Sequence, residues 1–153
     1  MTKILFVCLG NICRSPMAEF VMKDMVRRAG IAGDFEIGSA ATSSEELGNP
    51  VYPPARRKLM EHGIDCAGKT ARRINARDYE RYNMLIGMDE DNMRSMARCF
   101  GGDPEGKLRL LMSYAGEERA VADPWYTGDF ERTYRDVLES CQGLLAHLTQ
   151  DRT

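Results

Sequence analysis

The apolar positions of this chain fall into short unbroken runs separated by stretches of helical spacing. Lys3–Cys8 reads KILFVC, a continuous apolar run rich in β-formers. That pattern suits a strand buried on both faces of a parallel sheet. Phe35–Ser39, Met84–Met88 and Leu108–Met112 are the other predicted strands. A first helix starts at Ser15-Pro16, with serine as N-cap and proline at the first helical position. Met17, Phe20, Val21, Met25 and Val26 follow helical spacing, and Gly30 ends the helix. Further helices are predicted over Pro54–His62, Asn75–Tyr82 and Asp89–Cys99. A last one runs from about Asp129 to Leu148, with Tyr134, Val137, Cys141 and Leu144 on its apolar face. Ala40–Pro54 reads as a loop, and a second long loop carries Asp123-Pro124-Trp125-Tyr126. Strands alternating with helices predict one α/β domain over residues 1–153, a small parallel sheet covered on both sides.

Composition narrows the function classes. Lysine plus arginine total 21 and aspartate plus glutamate 23, a formal net charge of −2. That balance argues against a strongly basic nucleic-acid binder or a polybasic membrane-surface protein. The apolar run from Ile4 to Gly10 is far short of the ~20 residues of a membrane helix, and its flanks are wrong for a secretory signal. The expected location is the cytoplasm. The five cysteines, at 8, 13, 66, 99 and 141, are odd in number, so reduced thiols are expected rather than a disulfide framework. His62, His147 and scattered cysteines without a CxxC pair predict no zinc site.

The most informative segment is CLGNICRSP at 8–16. A cysteine ends a strand, five residues intervene, and an arginine enters a helix N-terminus. Such a turn aims backbone N–H groups inward as an anion nest, and the helix start adds its partial positive charge. Arg14 offers a planar fork that matches two phosphate oxygens. Cys8 lies at the floor of this positive field, where a thiolate is favoured and would act as a phosphoryl-transfer nucleophile. Gly10 permits a tight turn, and Asn11 tolerates a left-handed conformation. Ser15 is placed both to cap the helix and to donate its hydroxyl proton to the Cys8 sulfur. A strand-end cysteine equally serves as a small buried hydrophobe. Expelling a phenolate calls for a proton donor, and Asp123 beside Trp125 and Tyr126 is the candidate; a plain Asp-Pro turn is the alternative.

CLGNICRSP together with DPWY at 123–126 resembles the low-molecular-weight protein tyrosine phosphatase family. The likeness runs along nearly the whole chain, through SAATS at 39–43, GNP at 48–50, HGI at 62–64 and MDEDN at 88–92. It implies a three-layer domain whose sheet has four parallel strands with helices on both faces and the phosphate loop after the first strand. It implies Cys8 as nucleophile, Arg14 as phosphate clamp and Asp123 as general acid and later base. Asn11 and Ser39 would brace the loop, Ser15 would tune the thiol, and Cys13 would pair with Cys8 on oxidation. Leu9, Ile12, Trp125 and Tyr126 would line a narrow, deep apolar slot for the substrate ring, and Gly10, Asn11, Cys13 and Ser15 would join them in binding the substrate. Phosphotyrosine proteins would be the partners and inorganic phosphate or vanadate the inhibitors, with no cofactor, metal, nucleic acid or membrane involved.

The chain departs from that pattern at three positions. Glu45, with Glu46 beside it, stands where an aromatic residue is common on the slot wall. Gly38 replaces an aspartate before the bracing serine, and Lys69 replaces a histidine of the bracing network. The last two put the stiffness of the loop in question. Three other readings compete. A phosphoarginine phosphatase of the same fold tends to carry threonine where this chain has Ile12. A thiol-based arsenate reductase needs two further poised cysteines, and Cys66 and Cys99 are far apart in sequence. A non-catalytic phosphate-binding module would not need Cys8, Arg14 and Asp123 together.

Overall fold

The structure is a computed structural model that describes residues 1–150. Four parallel strands, β1 (Thr2–Cys8), β2 (Phe35–Ala41), β3 (Met84–Gly87) and β4 (Leu108–Leu110), lie in the order β2-β1-β3-β4. Cys8 is paired with Ala41 at the carboxyl end of β1, and Val7 with Gly87 on the other side. Both edges of β1 are therefore hydrogen-bonded and both faces covered, which is why KILFVC carries no polar alternation. The chain leaves β1 for β2 on one side and returns to β3 on the other. The crevice outside the strand ends at such a reversal is the usual ligand position in open α/β sheets.

Six helices cover the sheet among the described residues: α1 (Arg14–Arg28), α2 (Pro53–Glu61), α3 (Arg77–Arg81), α4 (Glu90–Phe100), α5 (Pro124–Thr127) and α6 (Phe130–Thr149). On one face, Ile4, Phe6, Ile37 and Ile86 pack with Met17 and Met22 of α1 and with Val137, Cys141 and Leu144 of α6. On the other, Leu5, Val7, Ala40 and Leu85 pack with Tyr79 of α3 and Met96 of α4. Full burial of each such aliphatic or aromatic side chain stabilises the fold by ~1.5–3 kcal/mol. The methionines largely fill core space, with Met17, Met22, Met88, Met96 and Met112 fully buried.

The last strand is shorter than its apolar run suggests. Leu110 pairs with Gly87, where β3 ends, and from Leu111 to Ala115 the chain turns into a 3₁₀ helix. Leu111 and Met112 are fully buried all the same, as core rather than as strand. Two glycines mark close approaches the apolar pattern does not reveal. A Cβ on Gly87 would lie 3.0–3.2 Å from Met93, Met96 and Asn92, so α4 sits directly on the end of β3. A Cβ on Gly143 would fall 1.9 Å from the Tyr114 carbonyl oxygen, so α6 crosses the 3₁₀ turn at backbone distance.

Candidate active site

The loop from Cys8 to Arg14 connects β1 to α1 as expected, but the helix starts two residues early. Arg14 is its first residue and Cys13 its N-cap, with no side-chain capping bond. Ser15 is thus not the cap. Its hydroxyl instead lies 3.0 Å from the Cys8 sulfur, inside the loop. Asn11 holds φ at +60°, the one non-glycine residue with positive φ among those described. Gly10 does not take a positive φ, so Asn11 alone makes the left-handed turn. A Cβ on Gly10 would meet Glu46 at 3.4 Å, an ordinary contact with a flexible side chain.

A hydrogen-bonded chain runs behind the loop, and its polarity follows from the donor inventory. Glu19 accepts from the Ser39 hydroxyl at 2.5 Å. Ser39 Oγ then accepts from Asn11 Nδ2 at 2.9 Å, and the same amide nitrogen donates to Ser15 Oγ at 2.8 Å. The orientation of the amide is fixed by Arg72, whose backbone N–H donates to Asn11 Oδ1. Ser15 Oγ, which accepts from Asn11, thus shares a hydrogen bond with Cys8 Sγ. The Asn11 backbone N–H also donates to that sulfur, at 3.3 Å. Both contacts tie the sulfur to the loop.

Lys69, where the sequence left loop stiffness in question, closes this chain. Its Nζ donates to the Ser39 carbonyl at 2.9 Å and lies 3.1 Å from Glu19 Oε1. Lys23 holds the other oxygen of Glu19 at 2.6 Å. The buried carboxylate therefore has a cation on each oxygen.

Arg14 is 3% exposed. Its Nη1 donates to Asp89 Oδ2 at 2.8 Å and to the Val121 carbonyl at 3.0 Å, and its Nη2 lies 3.5 Å from Asp123 Oδ2. Burial opposes the charge, yet the Cys8 sulfur and the Asp123 and Asp89 carboxylates outweigh it and hold the guanidinium above its ordinary pKa. Asp89 is fixed in turn as N-cap of α4, in a reciprocal capping box with Asn92. Asp123 is likewise a cap: the predicted loop DPWY is the start of α5, and Asp123 Oδ1 accepts from the Trp125 N–H at 3.0 Å.

These elements enclose an open cavity of about 140 Å³. Cys8, Leu9, Gly10, Ile12, Cys13, Arg14, Asp123, Trp125 and Tyr126 line it, and Glu45 and Glu46 complete its wall. Asn11, Ser15 and Ser39 do not line it; they lie buried beneath as support. The aromatic wall is shallower than a deep slot would be. Trp125 is 54% exposed and Tyr126 79%, so Tyr126 stands on the rim, while Trp125 leans on Tyr52 with ring centroids 4.9 Å apart. Burial, with the Cys8 sulfur and Asp123 adding to it against Arg14, pushes the Cys13 thiol up to about 12. All five cysteines are free, and Cys66 and Cys141 are buried core thiols.

Sequence reasoning missed Glu19, Arg72 and the role of Asp89. Glu19 carries one signal in retrospect, an acid on the otherwise buried side of α1. Arg72 acts through its backbone, which leaves no mark in the side-chain pattern. The described residues contain no cluster of three or more histidines, cysteines or acids able to hold a metal ion, and no helix among them is long and apolar enough to cross a membrane.

Comparisons with known proteins establish the family and the fold. A sequence model of the family "Low molecular weight phosphotyrosine protein phosphatase" matches residues 3–153. The chain is 33% identical to the low molecular weight protein-tyrosine-phosphatase YfkJ of Bacillus subtilis, over 99% of each chain. The crystal structure of YfkJ superposes with a TM-score of 0.95, covering 100% of this chain and 98% of that one. The low molecular weight protein tyrosine phosphatase SP-PTP of Streptococcus pyogenes gives a TM-score of 0.86 at 41% identity, over 97% and 93% of the two chains. DARP, a Drosophila arginine phosphatase, gives 0.87 at 32% identity, over 96% and 98%. A strand-loop-helix turn after the first strand, a buried arginine at its end and full-length likeness in sequence and structure lead to one assignment: the chain belongs to the low molecular weight phosphotyrosine protein phosphatase family.

Proposed function

We propose that this protein tyrosine phosphatase hydrolyses phosphotyrosine in protein substrates through a phosphocysteine on Cys8. The observation that supports it best is the single cavity wall shared by the Cys8 sulfur, the Arg14 guanidinium and the Asp123 carboxyl group. The Cys8 thiolate attacks phosphorus while Arg14 and the loop N–H groups hold the equatorial oxygens. Asp123 gives its proton to the departing phenolate oxygen, then takes one from the water that cleaves the S–P bond. The Cys8 thiolate is regenerated and inorganic phosphate is released; Arg14 and the loop N–H groups supply the positive charge, so the scheme calls for no metal. Leu9, Ile12, Trp125 and Tyr126 flank the ring, and inorganic phosphate or vanadate would inhibit by occupying the loop. Five free cysteines fit a reducing compartment such as the cytoplasm.

Cys8→Ser is the direct test. It should abolish turnover of a phosphotyrosine peptide while still binding that peptide or vanadate. Retained turnover would remove Cys8 from the mechanism. Since attack needs the ionised thiol and departure needs the protonated acid, kcat/KM should follow a bell-shaped pH curve.

A second reading, phosphoarginine hydrolysis, is favoured by the likeness to DARP. Ile12 argues for the aromatic substrate: it lines the cavity with a branched apolar side chain and offers no hydroxyl to orient water. Phosphotyrosine and phosphoarginine peptides at equal concentration decide between the two. Peroxide should oxidise Cys8 first, with Cys13 capturing the sulfenic acid as a disulfide before the irreversible sulfinic state. Recovery with dithiothreitol in the wild type, but not in Cys13→Ser, would bear this out.

A further inference from the structure

A second concavity lies on the α4 face of the sheet, separate from the catalytic cavity. It has a volume of about 470 Å³ and is lined by Thr42, Arg73, Ile74, Ser95, Arg98 and Cys99. Its walls thus carry two guanidinium groups, two hydroxyls and a thiol over an apolar floor, and no carboxylate. Neither arginine makes an ion pair among the described residues. Each gives one N–H to a neighbouring serine, Arg73 Nη1 to Ser44 Oγ at 3.1 Å and Arg98 Nη2 to Ser95 Oγ at 3.2 Å. Both are exposed, whereas the buried Arg14 and the half-buried Arg72 and Arg119 are ion-paired. Arg14 is held by Asp89, Arg72 by both oxygens of Asp78, and Arg119 by both oxygens of Asp136. Asp78, a carboxylate whose field reaches Cys99 in this cleft, is therefore already engaged. In a chain with more acids than bases, two oriented and unpaired guanidinium groups facing one hollow are a ready anion site.

The hollow is tied to the catalytic loop through the backbone. The Thr42 N–H donates to the Cys8 carbonyl at 3.0 Å, and the Ser43 N–H to the Leu9 carbonyl at 3.1 Å. The Ile74 N–H donates to the Ala41 carbonyl at 2.8 Å, which fixes Arg73 beside the end of β2. Ser44, touched by Arg73, is followed by Glu45 and Glu46, which form the wall of the catalytic cavity. The short segment 43–46 therefore separates two sites of opposite character. A substrate chain leaving the catalytic cavity across it would pass two glutamates first and two arginines next.

We propose that the Arg73–Arg98 cleft is a substrate subsite that takes an acidic side chain some residues away from the phosphotyrosine. The inference rests on the phosphotyrosine reading above. It gives the enzyme a positional preference: acids next to the phosphotyrosine are repelled by Glu45 and Glu46, and acids that reach across the segment are bound. Thr42 and Ser95 supply hydroxyl donors, and the Ile74 floor accommodates the methylene of a glutamate.

The test is a set of phosphotyrosine peptides in which one glutamate is walked outward through an otherwise neutral sequence. Wild type, Arg73→Gln/Arg98→Gln and Arg73→Lys/Arg98→Lys are compared, with p-nitrophenyl phosphate as a substrate too small to reach the cleft. In wild type, kcat/KM should rise roughly threefold to tenfold at one distal position, through KM. The glutamine pair should lose that rise with kcat retained, and the lysine pair should keep part of it. A flat scan in wild type, or a rise that survives in the glutamine pair, would overturn the subsite. A parallel fall on p-nitrophenyl phosphate would overturn it too, by placing the effect in the catalytic loop. If no phosphotyrosine peptide is hydrolysed, or is bound by Cys8→Ser, the functional reading fails and the subsite fails with it.

Discussion

The two halves of the catalytic cavity are built differently. On the nucleophile side, Cys8, Asn11, Arg14, Ser15 and Ser39 are all at most 3% exposed. Each polar atom there has a partner, and the partners form a chain from Lys69 through Glu19 to the sulfur. On the acid side, the Asp123 side chain is 24% exposed, on a four-residue helix that carries the exposed Trp125 and Tyr126. The difference teaches where each task sits. Stabilising charge on a transferring phosphoryl group demands preorganised donors that do not rearrange during the reaction. Delivering a proton and admitting ring-bearing substrates of varied flanks tolerates, and profits from, a lighter support.

Four measurements would break or sharpen that contrast. Asp123→Asn should cost ~10²–10⁴ in kcat on phosphotyrosine, within the range for general acid catalysis, and less on p-nitrophenyl phosphate with its better leaving group. Stability should change by less than about 0.5 kcal/mol, because asparagine caps a helix as well as aspartate does. Equal losses on both substrates would show that Asp123 is not the proton donor. Asn11→Ala should do the reverse. It strands Ser15, Ser39 and the Arg72 N–H and forces alanine into the left-handed region, for a loss of about 3 kcal/mol in urea unfolding. Its kcat should fall roughly tenfold to a hundredfold through a slackened loop. An Asn11→Ala protein of native stability would mean that the bracing is ornamental.

The third measurement uses Cys13, whose thiol is held up at about 12. Below that value its thiolate fraction grows with pH, so capture of oxidised Cys8 should accelerate roughly tenfold from pH 7 to pH 8. Mass spectrometry of the Cys8–Cys13 peptide over time checks this, and a flat rate would mean that capture does not run through the Cys13 thiolate. The smallest effect belongs to the rim. Trp125→Ala removes the contact with Tyr52, worth about 1 kcal/mol, and should raise KM roughly fivefold with little change in stability. A large stability loss would show the acid side to be as firmly built as the nucleophile side.

The same contrast explains what was legible in the sequence. From Cys8 to Ser15 the site is local, so spacing alone conveys a strand end, an anion loop and a helix start. Ser15 was misplaced as a cap because the pattern of apolar residues does not show that Arg14 already lies in the helix. Its contact with the sulfur was readable because both belong to one turn. Glu19, Arg72 and Asp89 reach the loop from distant parts of the chain, with no periodicity to announce them. Lys69 was visible only as a departure, and whether a lysine could replace the support expected there depended on where its ammonium group ends up. The early end of β4 was hidden because a buried 3₁₀ turn and a buried strand use the same apolar residues.

The chain has one tryptophan, and it stands on the rim. Intrinsic fluorescence excited in the red edge of the protein band therefore reports on the acid side of the cavity and hardly at all on the sheet. Trp125 already meets water in the folded state, so its emission is set by Tyr52, by the helix that Asp123 caps and by whatever lies in the cavity. Vanadate binding should register in that signal without any change in circular dichroism. In a denaturant titration, fluorescence should begin to move before the helical signal does. A spectroscopist using the indole as a folding probe would be watching the doorway while the house still stands.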